Sequence, residues 1–240
     1  MSYCFSGRVR YSEIGENGCL TLPGILNYFQ DCSTFHSEAV HQGMEVLKER
    51  KRVWVLSAWQ VVVERYPKLG EEIVTATWPY DFKGFMGMRN FTMKTAEGES
   101  LAYANTFWTH LNTETGIPAK LTEEDVAGYE SEEKLVMDYA PRKIRLPKEC
   151  VIGEAFAVQK HHLDTNHHVN NCQYVRMAED YLPEGFRVRQ MRAEYKKQAR
   201  LGDVIFPEVC IEDGRVTVLL NTEQQDTYAV VEFTSADIAI

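Results

Sequence analysis

Asp164-Thr165-Asn166-His167-His168-Val169-Asn170-Asn171-Cys172-Gln173-Tyr174 is a crowded polar run that opens directly into an apolar-periodic segment. A carboxylate, an amide and an imidazole alternate at Asp164, Asn166 and His168, just ahead of a helix start near Val169. The first N–H groups of a helix have no partner within it and favour anionic or carbonyl oxygen. These residue types at such a place can build a hydrolytic site, a helix cap or a metal centre. The surrounding fold has to decide between them.

Working outward, the helix is predicted from about Val169 to Leu182, ended by Pro183 to Gly185. Strand-like runs rich in valine, aromatics and threonine follow at 187–198, 203–212, 216–221 and 227–233. The first half has the same order. A helix is predicted from Leu22 to about Val40, with Pro23 in its first turn and Leu22, Ile25, Leu26, Phe29 and Cys32 near helical spacing. Strands are predicted after it at 54–63, 73–78, 88–94 and 102–110.

One helix followed by several antiparallel strands, twice over, reads as an internal repeat. Three correspondences occur in the same order: Glu16-Asn17-Gly18-Cys19-Leu20 with Thr165-Asn166-His167-His168-Val169, Lys68-Leu69-Gly70-Glu71 with Arg200-Leu201-Gly202-Asp203, and Tyr103-Ala104 with Tyr228-Ala229. Cys19 stands where the second half has His168, and no aspartate precedes Asn17, so one active site per chain is expected. Residues 117–153 mix acidic runs with three prolines and the basic cluster Arg142-Lys143-Ile144-Arg145, a composition suited to a solvated connection. The domains are therefore read as 1–116, a linker at 117–153, and 154–240. The architecture is α+β, a double hotdog of two tandem repeats, each a long helix wrapped by an antiparallel sheet.

With 44% hydrophobic and 25% charged residues over 240, the chain can bury one large core or two small ones, which excludes disordered and fibrous classes. No apolar stretch follows a basic cluster at the N-terminus, and none reaches bilayer-spanning length. A cytoplasmic protein without membrane association is expected. Six cysteines without a Cys-x-x-Cys pair read as buried free thiols. The net charge of −9 argues against nucleic-acid binding, and an acidic partner would need a local basic patch. Between Arg187 and Arg200 such a patch exists: Arg187, Arg189, Arg192, Lys196, Lys197 and Arg200 against the single acid Glu194.

Hydrolysis needs an activated water or nucleophile, donors for the oxyanion, and a proton for the leaving group. His168 is the natural acid/base, Asn166 can orient the imidazole or hold a carbonyl, and backbone N–H groups near Val169 and Asn170 could form an oxyanion hole. Asp164 would orient and charge-stabilise that network. The capping alternative for Asp164 and Asn166 stands beside it. A metal held by His161, His162, His167, His168 and Asp164 fits neither usual short zinc spacing.

Asp164-x-Asn166-x-His168-Val169-Asn170-Asn171-x-x-Tyr174 resembles the catalytic signature of the plant and bacterial fatty acyl-ACP thioesterases. Tyr66-Pro67-x-x-Gly70-Glu71, Gly87-Met88-Arg89-Asn90-Phe91, Asn105-Thr106-Phe107-Trp108 and Lys120-Leu121-Thr122 resemble segments of that family's N-terminal hotdog. Glu194-Tyr195-Lys196-Lys197-Gln198-Ala199 resembles the strand that completes its site, which often reads Tyr-x-x-Glu-Cys. Here glutamine and alanine replace the last two, so no cysteine nucleophile is available, and Gln198 can position a water but not take its proton.

The resemblance implies hydrolysis of fatty acyl-acyl carrier protein, with acyl carrier protein as partner and no cofactor. It implies Asp164, Asn166, His168 and Gln198 as site residues, with Glu194 an alternative to Gln198. The N-terminal hotdog would hold the acyl chain, with Phe29, Trp59, Phe85, Met88 and Phe91 as candidate lining. An acyl-CoA thioesterase and a non-catalytic acyl-thioester-binding hotdog are the alternatives, and a homodimer is left open.

Overall fold

The computed structural model describes residues 2–236. The chain forms two compact units: one runs to Ser57 and includes Val61–Tyr139, and the other takes Ala58–Gln60 and the residues from Ala140 onward.

The first unit contains β1 (Tyr3–Arg8), a 3-10 turn at Tyr11–Glu13, α1 (Leu22–Ala39), α2 (Met44–Glu49), β2 (Arg52–Val63), β3 (Glu72–Lys83), β4 (Met86–Thr95) and β5 (Ser100–Asn112). Its strands run in the order β1-β3-β4-β5-β2, and β1/β3, β3/β4 and β4/β5 pair antiparallel. Ile73, Thr75, Thr77 and Pro79 are the buried members of an alternating β3, as expected of a sheet with one covered face. The cover is α1. Thr21 caps it by accepting Gly24 N–H at 3.1 Å, Pro23 sits in its first turn, and Ile25, Leu26, Phe29 and Cys32 form its buried stripe. The Phe29 ring meets Phe91 of β4 at 5.3 Å between centroids.

The second unit contains β6 (Val151–Ile152), β7 (Phe156–Ala157), a 3-10 turn at Lys160–His162, α3 (Asn171–Glu179), β8 (Val188–Tyr195), β9 (Val204–Glu212), β10 (Arg215–Asn221) and β11 (Thr227–Ser235). Its order is β8-β11-β10-β9-β6, with β7 also on β9. Each unit is thus a helix on an antiparallel sheet, and the α+β double hotdog architecture holds. The helix α3 is 9 residues long against 18 for α1, and shorter than the predicted 169–182. Val169 is drawn into a β-bridge with Leu163, Asn170 becomes the cap, and the C-terminal end unwinds into single turns at Tyr181 and Leu182. The edge strand β1 and the short α2 were not anticipated.

The repeat is visible hydrogen bond by hydrogen bond. Gly15 N–H donates to Cys19 O as Asp164 N–H does to His168 O, Leu20 N–H to Pro67 O as Val169 N–H to Ala199 O, and Thr21 N–H to Glu13 O as Asn170 N–H to His162 O. Lys68 N–H donates to the Glu71 carboxylate as Arg200 N–H does to Asp203. The third correspondence shifts by two. Leu101 O receives the Glu64 and Arg65 N–H groups where Tyr228 O receives those of Lys196 and Lys197, so Leu101, not Tyr103, is the counterpart of Tyr228.

The connection at 117–153 is mostly exposed, as its composition suggests, and side chains tie it down: Gln42 donates to Glu124 O and Ala127 O, Trp78 to Glu133 O, and Ile144 is buried with its N–H on Glu194. Backbone groups without a ladder need such side-chain partners once they are covered. One expectation is overturned: not all six cysteines are free thiols. Cys150 and Cys210 form a disulfide that ties the segment entering β6 to β9, Cys32 and Cys172 are buried, and Cys4 is exposed. Spacing alone hides a pair that a sheet edge brings together. Among the described residues no helix is long and apolar enough to cross a membrane.

Phe29 is fully buried against Phe91. Replacing Phe29 with Ala should cost about 3–5 kcal/mol, read as a lower urea midpoint at unchanged slope.

Candidate active site

The polar run forms a tight clasp ahead of α3. Its chain reverses at Asp164–His167, where His167 N–H donates to Asp164 O at 3.1 Å and Asp164 N–H to His168 O at 2.8 Å. His167 has φ +61, the left-handed conformation that Gly18 (φ +72) takes in the first unit. A non-glycine residue held there is strained by about 1–3 kcal/mol, so surrounding bonds must enforce it. The Asp164 carboxylate supplies them: Oδ1 accepts Asn166 N–H at 2.8 Å and His168 N–H at 3.2 Å. The aspartate thus shapes the loop through backbone groups.

The two adjacent histidines are separated by this geometry. His167 is exposed on the turn, while His168 forms a β-bridge with Arg200 and carries a buried Nδ1 with no protein partner among the described residues. Asn166 is exposed on the same turn. Gln198 is exposed two residues before Arg200, on the segment bridged to His168. All four expected site residues therefore lie on two neighbouring segments of one unit.

Other expectations change. The Val169 and Asn170 N–H groups are already spent, on Ala199 O and His162 O at 2.9 Å each, so neither supplies an oxyanion hole. Asn170 is the helix cap, its Oδ1 accepting Cys172 N–H at 2.8 Å and its carbonyl accepting Gln173 N–H. That leaves Asn171 N–H, the first of α3, as the donor without a protein acceptor among the described residues. Glu194 is buried on β8 with its carboxylate on Ile144 N–H, engaged in holding the connection. Phe29, Trp59 and Phe91 are buried, whereas Phe85 is exposed.

Two tyrosines were passed over as site-builders. Tyr174 OH accepts the Ala199 N–H at 2.8 Å, and Tyr195 OH donates to Asn171 O at 2.9 Å, their rings 5.9 Å apart. Both clamp the Gln198 segment to the helix entrance. Burial pushes the Tyr174 hydroxyl up to about 12 and Tyr195 well above the ordinary range, so both remain protonated. The signal lay in the sequence, since Tyr174 and Tyr195 each stand a fixed distance from a site residue. Asp203 completes the frame by accepting Arg200 N–H and Tyr228 OH. Among the described residues no three His, Cys, Asp or Glu side chains gather to hold a metal.

A helix entered through such a clasp on an antiparallel sheet, present in two copies, puts the chain among the double-hotdog proteins. The acyl-ACP thioesterase N-terminal domain model matches residues 2–129 and the C-terminal domain model residues 145–232, so the chain belongs to the acyl-ACP thioesterase family. It is 23% identical over 232 residues to the palmitoyl-acyl carrier protein thioesterase of Gossypium hirsutum, covering 89% of this chain and 56% of that protein. To the Arabidopsis thaliana protein of the same name it is 25% identical over 216 residues, covering 82% and 52%. The chain thus spans about half the length of these curated relatives. An acyl-ACP thioesterase structure from Bacteroides thetaiotaomicron superposes with a TM-score of 0.89 at 21% identity, covering 97% of both chains. The 12:0-ACP thioesterase from Umbellularia californica gives 0.79 at 18%, covering 97% of this chain and 96% of that one.

Changing Tyr174 to Phe deletes the acceptor of the Ala199 N–H and leaves that buried donor unpaired. The expected loss is about 1–3 kcal/mol of stability, measured by chemical denaturation.

Proposed function

We propose that the chain hydrolyses the thioester of fatty acyl-acyl carrier protein, releasing a free fatty acid and the carrier's phosphopantetheine thiol. The observation that carries this reading is the His168 ring. In a loop whose carboxylate and neighbouring amides are committed to backbone bonds, its Nδ1 alone is buried and unspent. An imidazole so placed is suited to proton transfer.

Water adds to the thioester carbonyl carbon as His168 takes its proton, and the Asn166 amide and Asn171 N–H donate to the carbonyl oxygen. The C–S bond then breaks, and His168 returns the proton to the departing sulfur. Gln198 holds the water by hydrogen bonds and takes no proton. Asp164 acts at one remove, by fixing the turn.

The basic segment supports a carrier protein as the acyl donor's bearer, through fewer residues than the sequence offers. Arg192 is committed to Glu232 and to the carbonyls of Pro141 and Lys143, and Lys197 faces Asp226 at 3.4 Å. Arg187, Lys196 and Arg200 are exposed and give an acidic partner its positive surface.

Matched acyl-ACP and acyl-CoA substrates test the reading. The acyl-ACP ester should be hydrolysed with the higher kcat/KM, and His168→Ala should lower it about 10²–10⁴-fold with an unchanged circular dichroism spectrum. Preference for the CoA ester would make the chain an acyl-CoA thioesterase, and turnover of neither would favour a binding protein. Gln198→Glu should raise kcat by introducing a carboxylate base beside the water; an unchanged rate would show that His168 suffices.

A further inference from the structure

Far in sequence from the His168 clasp, the first unit buries a cation without a counter-ion. Arg89 of β4 is only 7% exposed. Its Nη1 donates to His36 Nδ1 at 2.9 Å and to Thr77 Oγ1 at 3.2 Å, and its guanidinium lies 5.5 Å from the centre of the Tyr129 ring. No carboxylate pairs with it among the described residues. His36 cannot substitute: its Nδ1 accepts from Arg89, which makes the ring the neutral tautomer. Burial and the Arg89 charge together pull His36 down to about 4. Arg89 itself is drawn down by burial to about 10, which leaves it charged at neutral pH.

A buried charge with only neutral acceptors is costly, and proteins meet that cost with a paired opposite charge. Here Nε and Nη2 donate to no protein atom among the described residues, and that edge of a guanidinium is the fork that a carboxylate fits bidentately. The neighbourhood is aromatic. The Tyr129 ring lies 5.9 Å from that of Phe82 and meets His36 edge-on at 5.3 Å, and Tyr3 stacks on His36 at 5.6 Å, all between centroids. Such walls suit an anion that brings an apolar body with it.

We propose that Arg89 is the head-group site for an amphiphilic carboxylate, bound through Nε and Nη2 with its apolar part against Tyr129 and Phe82. The acid released by thioester hydrolysis belongs to this class, and only that link rests on the function proposed above. The site itself stands on the unpaired guanidinium.

Octanoate, its neutral analogue 1-octanol, and inorganic phosphate should be titrated into the full chain. Calorimetry would report affinity, and the histidine-ring NMR signals, assigned with a His36→Gln variant, would report location. Octanoate should bind and move the His36 resonances, octanol should not, and Arg89→Met should weaken octanoate about tenfold to a hundredfold. If Arg89→Met fails to fold, the His36 response of the unmodified chain decides. Unmoved His36 signals at saturating octanoate, equal binding of octanol, or an equal response to phosphate would each overturn the assignment. None of these readouts depends on turnover at His168.

Discussion

One backbone contact, made once in each unit, organises this protein: the N–H of the residue before the helix cap donates to a carbonyl on the segment leaving the first long strand. Leu20 reaches Pro67 O at 2.7 Å and Val169 reaches Ala199 O at 2.9 Å. The contact fixes where the helix starts, because a residue held in a bridge cannot also take helical dihedrals. It also sets His168 alongside the segment that carries Gln198. Tyr174 and Tyr195 reinforce the second copy from the helix and the strand. Helix length, loop shape and site all follow from it.

Within that frame the two copies diverged by a few side chains. Gly15 and Gly18 make the first turn without strain, and Cys19 occupies the place of the imidazole. The second turn accepts His167 in a left-handed conformation and compensates with the Asp164 carboxylate on two amides. The Asp164 carboxylate and the Val169 and Asn170 amides of this loop are committed, while among the described residues the buried Nδ1 of His168 has no protein partner.

The first unit, without that machinery, holds its own polar features instead. Arg89, His36 and Thr77 form a buried network beneath α1, and the connection after β5 is tied down by Gln42, Asn90 and Trp78. A segment rich in charge and proline looks loose in sequence, yet fixed side-chain partners can order it without any ladder. The Cys150–Cys210 bond anchors the far end of the same connection to β9.

Residue order by itself determined the two helices, eight of the strands, their duplication and the motif Asp164-x-Asn166-x-His168, because periodicity and short-range spacing are local properties. It also separated the intact copy from the degenerate one, since Cys19 in place of His168 needs no coordinates to be seen. Tertiary structure alone decided which of two adjacent histidines turns inward, and that Asp164 serves backbone groups of its own turn. It also showed that the Val169 and Asn170 amides are already taken, that Cys150 meets Cys210, and that Arg89 is buried without a carboxylate. Most of these depend on a partner 30 or more residues away or on the backbone path of one turn, and neither leaves a periodic trace in the chain.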